Sequence, residues 1–226
     1  MTLNLLTWNI KVLDGDCVRY ADIARQMCSA QPDVICLQEV SVIGWHYIKA
    51  FINEYYESVY DSPLRANSTY RSYGEMILFK RGQFQVTNKG FFLLPSKMGR
   101  SVQWACLTDA CGESTIVSTG HLESESNNAP ARSKQWIKIM NEFKNMNYPI
   151  VWAGDTNMEE GEEEPSYGEF VKFGDTYFGY RFGYDGTGAY DNVWTVGKEV
   201  TLVNRIGLDK NNLALSDHDG IIIRVN

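Results

Sequence analysis

Eight polar residues stand where the chain leaves short apolar runs: Asn9, Glu39, His121, Asp155, Asn157, Asp191, Asp217 and His218. Taken singly, each is a cap, a turn residue or a solvated end. Taken together, they carry what phosphate-ester hydrolysis needs: a base for water, a cation near phosphorus, and donors for the charge that builds on its oxygens. Glu39 and Asp217 offer hard carboxylate oxygens of the kind Mg2+ or Mn2+ prefers. Asp155 suits a general base, a role worth roughly 10²–10⁴ in rate. Asn157, two residues on, orients the water or a phosphate oxygen if the backbone there is extended. His121 and His218 suit stabilisation of the phosphate, and Asp191 is a carboxylate able to fix the tautomer of His218 and favour its charged form. The third histidine, His46, lies beside Trp45 and Tyr47 in a stretch that reads as amphipathic helix, so it is assigned a structural or exposed position. Histidine-ligated zinc hydrolysis is the competing chemistry, weakened by dispersed histidines and by the lack of a His-Glu-x-x-His pattern.

These residues need strand ends to hold them. Leu3 to Ile10 reads as a strand, followed by a helix from about Cys17 to Ala30 with Val18, Ala21, Ile23, Ala24 and Met27 on its apolar face. Pro32-Asp33 stops that helix. Val34-Ile35-Cys36-Leu37 is a continuous apolar run of the kind buried on both faces, and it ends in Gln38-Glu39. The arrangement recurs later: Ser114 to Thr119 reads as a strand ending in Gly120-His121-Leu122-Glu123-Ser124, a helix spans about Ala131 to Met146, and Pro149 to Ala153 ends in Gly154-Asp155-Thr156-Asn157. Strand candidates at Met76–Lys80, Phe84–Leu94 and Val102–Asp109 lie between, and Asp191–Val196 and Gly220–Val225 complete the set. The stretch from Asn157 to Tyr190, rich in Gly, Tyr and Asp, reads as loops. No Pro/Ser linker divides the chain. It is expected to form a single domain over residues 1–226, of the α/β class, with two mixed sheets covered by helices.

Composition bounds the function. A net charge of −7 leaves no global positive field to draw the chain to nucleic acid or to anionic membrane, so a phosphate ligand must be captured locally. A metal ion supplies such local charge. Five cysteines without a C-x-x-C pair argue against a disulfide framework or a structural zinc site and fit reduced thiols. No apolar run approaches the ~18 residues of a membrane span. The expectation is a monomeric nuclear or cytoplasmic protein with no membrane partner.

In order along the chain, Thr7-Trp8-Asn9, Leu37-Gln38-Glu39, Gly120-His121-Leu122, Gly154-Asp155-Thr156-Asn157 and Ser216-Asp217-His218 resemble the motif series of the endonuclease/exonuclease/phosphatase superfamily. The resemblance spans nearly the whole chain and implies a four-layer α/β sandwich with Mg2+ at the sheet edges. It also implies roles. Glu39 is the metal-binding glutamate with Asn9 beside it, and Asp217 joins the metal site. Asp155 and Asn157 activate and position water, His121 and His218 stabilise the phosphate, and Asp191 orients the last histidine.

Within the superfamily the chain is similar to the type-2 tyrosyl-DNA phosphodiesterase family. The likeness lies in Asp33 to Val40, in Pro95-Ser96-Lys97-Met98-Gly99-Arg100, and above all in His121-Leu122-Glu123-Ser124. That likeness implies Mg2+-dependent hydrolysis of the bond between a protein tyrosine and a DNA 5′-phosphate, as in repair of trapped topoisomerase adducts. It makes DNA with a 5′-phosphotyrosyl end the partner, Ser124 a phosphate contact, and Tyr73 and Tyr184 aromatic residues lining a DNA groove. Two positions depart from the family pattern. Glu159 stands in place of an arginine and would repel a phosphate, and Asp219 stands in place of a tryptophan. Other chemistries of the superfamily remain open: an abasic-site or 3′-end nuclease, a deadenylase, or an inositol-phosphate or phospholipid enzyme. A catalytically inactive binding protein is opposed by the competent residue at every proposed catalytic position.

Overall fold

The computed structural model describes residues 1–13, 15–63, 72–158, 162, 171–172 and 190–226. Strand β1 (Leu3–Asn9) alternates between two apolar environments: Leu3 and Leu5 enter one buried cluster, Leu6 and Trp8 another. Strand β2 (Val34–Ser41) does the same with Val34 and Cys36 against Ile35 and Leu37. A strand alternates its side chains with period two, so apolar residues on both faces require cover on both. One face meets helices and the other meets a second sheet.

Helix α1 (Cys17–Ala30) starts where the Asp16 side chain accepts from the Arg19 backbone N–H at 2.9 Å, and it ends where Gln31 turns left-handed. Helix α2 (Val42–Ile52) is capped by Ser41, whose Oγ accepts from the Gly44 N–H at 2.9 Å. Such caps satisfy N–H groups that the first helical turn leaves unpaired, each worth about 1 kcal/mol. Both helices pack Tyr20, Ile23, Met27, Trp45 and Ile48 against Leu6, Trp8, Ile35 and Leu37. Val18, expected on the inner face of α1, is instead 67% exposed, and Tyr20 takes the buried position.

Strands β3 (Tyr56–Ser58) and β4 (Tyr73–Lys80) complete one edge of this sheet, and β11 (Val200–Ile206) and β12 (Gly220–Val225) the other. Its order is β11-β12-β1-β2-β4-β3, with only β1 and β2 parallel. The second sheet has the order β5-β6-β7-β8-β10-β9, from β5 (Phe84–Leu93), β6 (Ser101–Asp109), β7 (Ser114–Gly120), β8 (Ile150–Asp155), β9 (Val171–Lys172) and β10 (Asp191–Val196). Its one parallel pair is β7 with β8. Helix α3 (Ala129–Phe143) covers its outer face, where Trp136, Ile139 and Phe143 pack on Trp152 and Trp194. The sequence placed this helix two to three residues further on; Pro130 in its first turn, where no N–H is needed, sets the earlier start.

Between the sheets lie Leu5, Val34, Cys36 and Ile77 from one side and Ala105, Val117, Val151 and Val193 from the other. The order helices, sheet, sheet, helix is the four-layer α/β sandwich expected from the motifs. Each fully buried Leu, Ile or Val contributes about 1.5–3 kcal/mol, so the inter-sheet layer holds the two parallel strand pairs in fixed relation. Both pairs end at the same side of the sandwich. Among the described residues no helix is long and apolar enough to cross a membrane.

Candidate active site

The inter-sheet face of β1 continues from Leu5 through Thr7 to Asn9, and that of β8 from Val151 through Ala153 to Asp155. The apolar layer thus gives way to polar residues at its end. Asn9 Nδ2 donates to Asp155 Oδ2 at 2.8 Å and reaches Glu39 Oε1 at 3.2 Å, tying three strand ends from two sheets together. Just below, Gln38 Nε2 donates to Thr119 Oγ1 at 2.8 Å and approaches Thr7 Oγ1 at 3.2 Å. Glu39 is not a simple strand tip. Strand β2 runs on to Ser41 through an irregularity between Leu37 and Val40, and Glu39 sits there with φ +57°. A bulge re-aims one side chain, and left-handed backbone at a non-glycine residue persists only where its surroundings hold it.

Glycine lets β7 and β8 close together at their ends. A Cβ on Gly154 would lie 2.2 Å from the Gly120 carbonyl oxygen, so the motif Gly154-Asp155 must begin with a residue that leaves that space. The approach lets Leu122 N–H donate to the Asp155 carbonyl at 2.9 Å and sets His121 beside Asp155. Antiparallel pairing of β10 with β8 places Asp191 opposite Asp155. Asn157 is not extended: its φ of +50° folds its N–H back onto Asp155 Oδ1 at 2.9 Å, while its Nδ2 donates to the Leu122 carbonyl at 3.1 Å.

The late motif is moored to β1. Ser216 Oγ donates to the Asn9 carbonyl at 2.7 Å, and Trp8 Nε1 donates to the His218 carbonyl at 3.0 Å. The buried Arg19 guanidinium adds a clamp, donating to the carbonyls of Ile10, Lys11 and Leu215 at 2.6, 2.7 and 2.8 Å. His218 Nδ1 is then 2.7 Å from Asp191 Oδ2, while its Nε2 faces Asp155 Oδ2 at 3.7 Å. His121 Nε2 approaches the same Asp155 oxygen at 3.4 Å. The described site thus brings together Asn9, Glu39, His121, Asp155, Asn157, Asp191, Asp217 and His218. Tyr73 opens β4 opposite Ser41, at the same sheet end; Tyr184 and Glu159 lie outside the described residues. Asp219 is buried.

Burial pushes the Asp155 carboxyl up, against the pull of His218 and with the push of Asp191, to about 6. Burial alone would lower the His218 pKa. The carboxylates of Asp191, Asp155 and Asp217 outweigh it and raise the imidazole to about 10. The shared proton of this pair therefore resides on His218 at neutral pH, with Asp155 ionised.

The sequence did not single out Arg100 or Lys11. Arg100 Nη1 is 2.7 Å from His121 Nδ1, and its Nη2 donates to Ser124 Oγ at 2.6 Å. The Arg100 loop is fixed by the buried Glu123, which accepts from Lys97 and Met98 N–H groups at 3.1 Å and from Gln135 Nε2 at 3.0 Å. Burial would raise the Glu123 pKa, but the bonds from Ser96, Gln135 and those N–H groups bring it below the usual range. Lys11 Nζ lies 2.7 Å from Asp217 Oδ2.

A divalent cation fits the donor set beside Glu39. Glu39 Oε1 accepts from Asn9 and its Oε2 from the Val12 N–H at 3.2 Å, leaving each oxygen a further lone pair on a partly exposed carboxylate. Asp155, Asp191 and His218 also stand close enough to share an ion. That trio is a poor ligand set, because His218 spends Nδ1 on Asp191 and is protonated, with no lone pair to give.

Residues 6–218 match the model of the Endonuclease/Exonuclease/phosphatase family, and the chain belongs to that family. Within it, the chain is 28% identical over 169 residues to tyrosyl-DNA phosphodiesterase 2 of Mus musculus and 28% identical over 167 residues to that of Danio rerio. Each match takes in 71% of this chain and 42% of the relative, so the chain spans less than half the length of these curated relatives. Among solved structures, a humanised D. rerio enzyme of that name superposes with a TM-score of 0.83 at 19% identity, over 100% of this chain and 99% of the other. The C. elegans enzyme gives 0.82 at 21% identity, over 100% and 75%. The D. rerio enzyme complexed with single-strand DNA product gives 0.81 at 21% identity, over 100% and 99%. At these identities the structures establish a shared fold.

Proposed function

We propose that this chain is a metal-dependent phosphodiesterase that hydrolyses the bond between a protein tyrosine and a DNA 5′-phosphate. The observation that carries the reading is the approach of two imidazole Nε2 atoms to one Asp155 oxygen, at 3.4 and 3.7 Å. A phosphate oxygen entering beside them would meet two donors and a base. The His121-Leu122-Glu123-Ser124 motif and the names of the relatives support the tyrosyl-DNA substrate.

Asp155, ionised at neutral pH, takes a proton from the attacking water, whose oxygen adds to phosphorus. The Asn9 and Asn157 hydrogen bonds keep its carboxylate in place. Charge building on the phosphate oxygens is met by His218, held protonated by Asp191, and by His121 and Ser124 on the Arg100 side. The tyrosine oxygen leaves as a phenolate, an anion of ordinary pKa about 10 that departs without a dedicated acid. Glu39, with Asn9 beside it, would hold Mg2+ or Mn2+, which when bound neutralises phosphate charge.

The test is a panel of 5′-phosphotyrosyl, 3′-phosphotyrosyl, abasic and poly(A) substrates with Mg2+. The proposal expects cleavage of the 5′-tyrosyl substrate to a 5′-phosphate end, lost in Asp155→Asn. Turnover of abasic or poly(A) substrates alone would reassign the substrate within the family.

A further inference from the structure

The Lys11 ammonium occupies a position that the acidic site makes valuable. It lies 2.7 Å from Asp217 Oδ2, while Asp217 Oδ1 stands 3.3 Å from Ser216 Oγ and faces His218 Nε2 at 4.0 Å. Asp217 therefore sits between two cations and has partners on both oxygens.

Lys11 is half exposed at its head but pinned at its base. Its N–H donates to Asn9 Oδ1 at 3.0 Å, its carbonyl accepts from Arg19 Nη2 at 2.7 Å, and its φ is +48°. A left-handed non-glycine residue held by bonds on both backbone groups starts its side chain from a fixed point. An ordinary surface lysine spreads over many rotamers and gains little from one partner. Here the stem emerges from the residue that bonds Asn9, two positions beyond the asparagine that joins Glu39 to Asp155.

We propose that the Lys11 ammonium acts as the site's built-in second cation: it neutralises Asp217 and restricts the centre to one divalent ion, held by Glu39. The inference rests on the metal-dependent reading above and assigns Asp217 to Lys11 and His218 in place of the ion. A dication beside Asp217 would have to displace the ammonium or share the carboxylate with it, and like charges at that distance repel. Removing the ammonium while keeping the stem frees a carboxylate oxygen for a metal.

The experiment is calorimetric titration of Mn2+ into the folded wild-type chain and into Lys11→Met, Lys11→Arg, Asp217→Asn, Glu39→Gln and the Lys11→Met/Asp217→Asn double variant. Circular dichroism confirms that each is folded. The wild type is expected to take one ion, and Lys11→Met to take a second ion or bind roughly 10- to 100-fold more tightly, the range that local ligand changes produce. Lys11→Arg keeps the wild-type behaviour, Asp217→Asn alone changes affinity by less than about threefold, and the double variant loses the gain. An unchanged titration in Lys11→Met overturns the proposal, as does a loss of about tenfold or more in Asp217→Asn, which would make Asp217 a direct ligand. Those outcomes leave the metal-dependent reading intact. Wild-type binding that Glu39→Gln does not weaken, or no binding at all, overturns both.

Discussion

Arg100 Nη1 lies 2.7 Å from His121 Nδ1. A guanidinium only donates, so Nδ1 must be the accepting, unprotonated nitrogen and the His121 proton sits on Nε2, facing Asp155. His218 has the opposite environment: a carboxylate at Nδ1 makes that nitrogen a donor and favours the imidazolium. The two histidines thus approach one oxygen in different states, His121 as a neutral donor and His218 as a cation.

Replacing Arg100 by Met removes that donor while keeping an unbranched stem. His121 is then free to place its proton on Nδ1, and phosphodiester turnover is expected to fall about 10²-fold, chiefly in kcat, within the range one positioned donor supplies. Nitrogen-15 spectra of the imidazoles check the cause: a bare Nδ1 on His121 in the wild type, and a mixed tautomer in Arg100→Met. An unaltered His121 spectrum in the variant would assign Arg100 a packing role.

Activity should follow pH through both coupled groups. Asp155 must be ionised to act as base, so kcat/KM rises with pH through about 6. His218 must be protonated to meet the phosphate, so the rate falls again as pH passes about 10. In His218→Gln the alkaline decline should vanish and the plateau drop by about 10²–10³-fold. Profiles of kcat/KM for both proteins decide it.

Stability carries the same signature. His218 has a folded-state pKa raised from 6.5 to about 10. Its contribution is present in full below about 6.5 and is lost as pH climbs through the folded value. Urea unfolding of wild type and His218→Gln should show a stability difference that is larger at neutral pH and shrinks toward pH ~10.

Gly154 tests the closeness of the two strand ends. An added Cβ would stand 2.2 Å from the Gly120 carbonyl oxygen, which is backbone and has no rotamer to yield. Gly154→Ala should lower stability by about 1–3 kcal/mol through overpacking. Thermal unfolding measures it, together with weakened activity as Asp155 shifts from His121.

The residues that meet at the candidate site were legible because they lie at strand ends, where apolar runs break into Asn9, Gln38-Glu39, His121 and Asp155. The layers were legible from the same runs. Less visible were features that depend on what lies opposite. Strand β11 was not expected: most of its residues are exposed, so Val200 to Ile206 carries no apolar alternation. The short β3 likewise gave no pattern. Glu39 was placed at a strand tip because the bulge after Leu37 leaves no mark in residue types. Arg100 stood only as the last residue of the Pro95–Arg100 stretch, with no role attached, and Lys11 gave no local signal. Each acquires its role from a partner far along the chain, His121 and Asp217 respectively. The Gly99 before Arg100, with φ +69°, was the nearest clue.

The most direct test is single-turnover hydrolysis of a 5′-phosphotyrosyl oligonucleotide with Mg2+ in oxygen-18 water. If Asp155 activates water for attack at phosphorus, the product is a 5′-phosphate oligonucleotide carrying the heavy isotope in its phosphate. Asp155→Asn should slow its formation by about 10²-fold or more. An unlabelled phosphate, or a rate in Asp155→Asn within about twofold of wild type, would contradict that assignment.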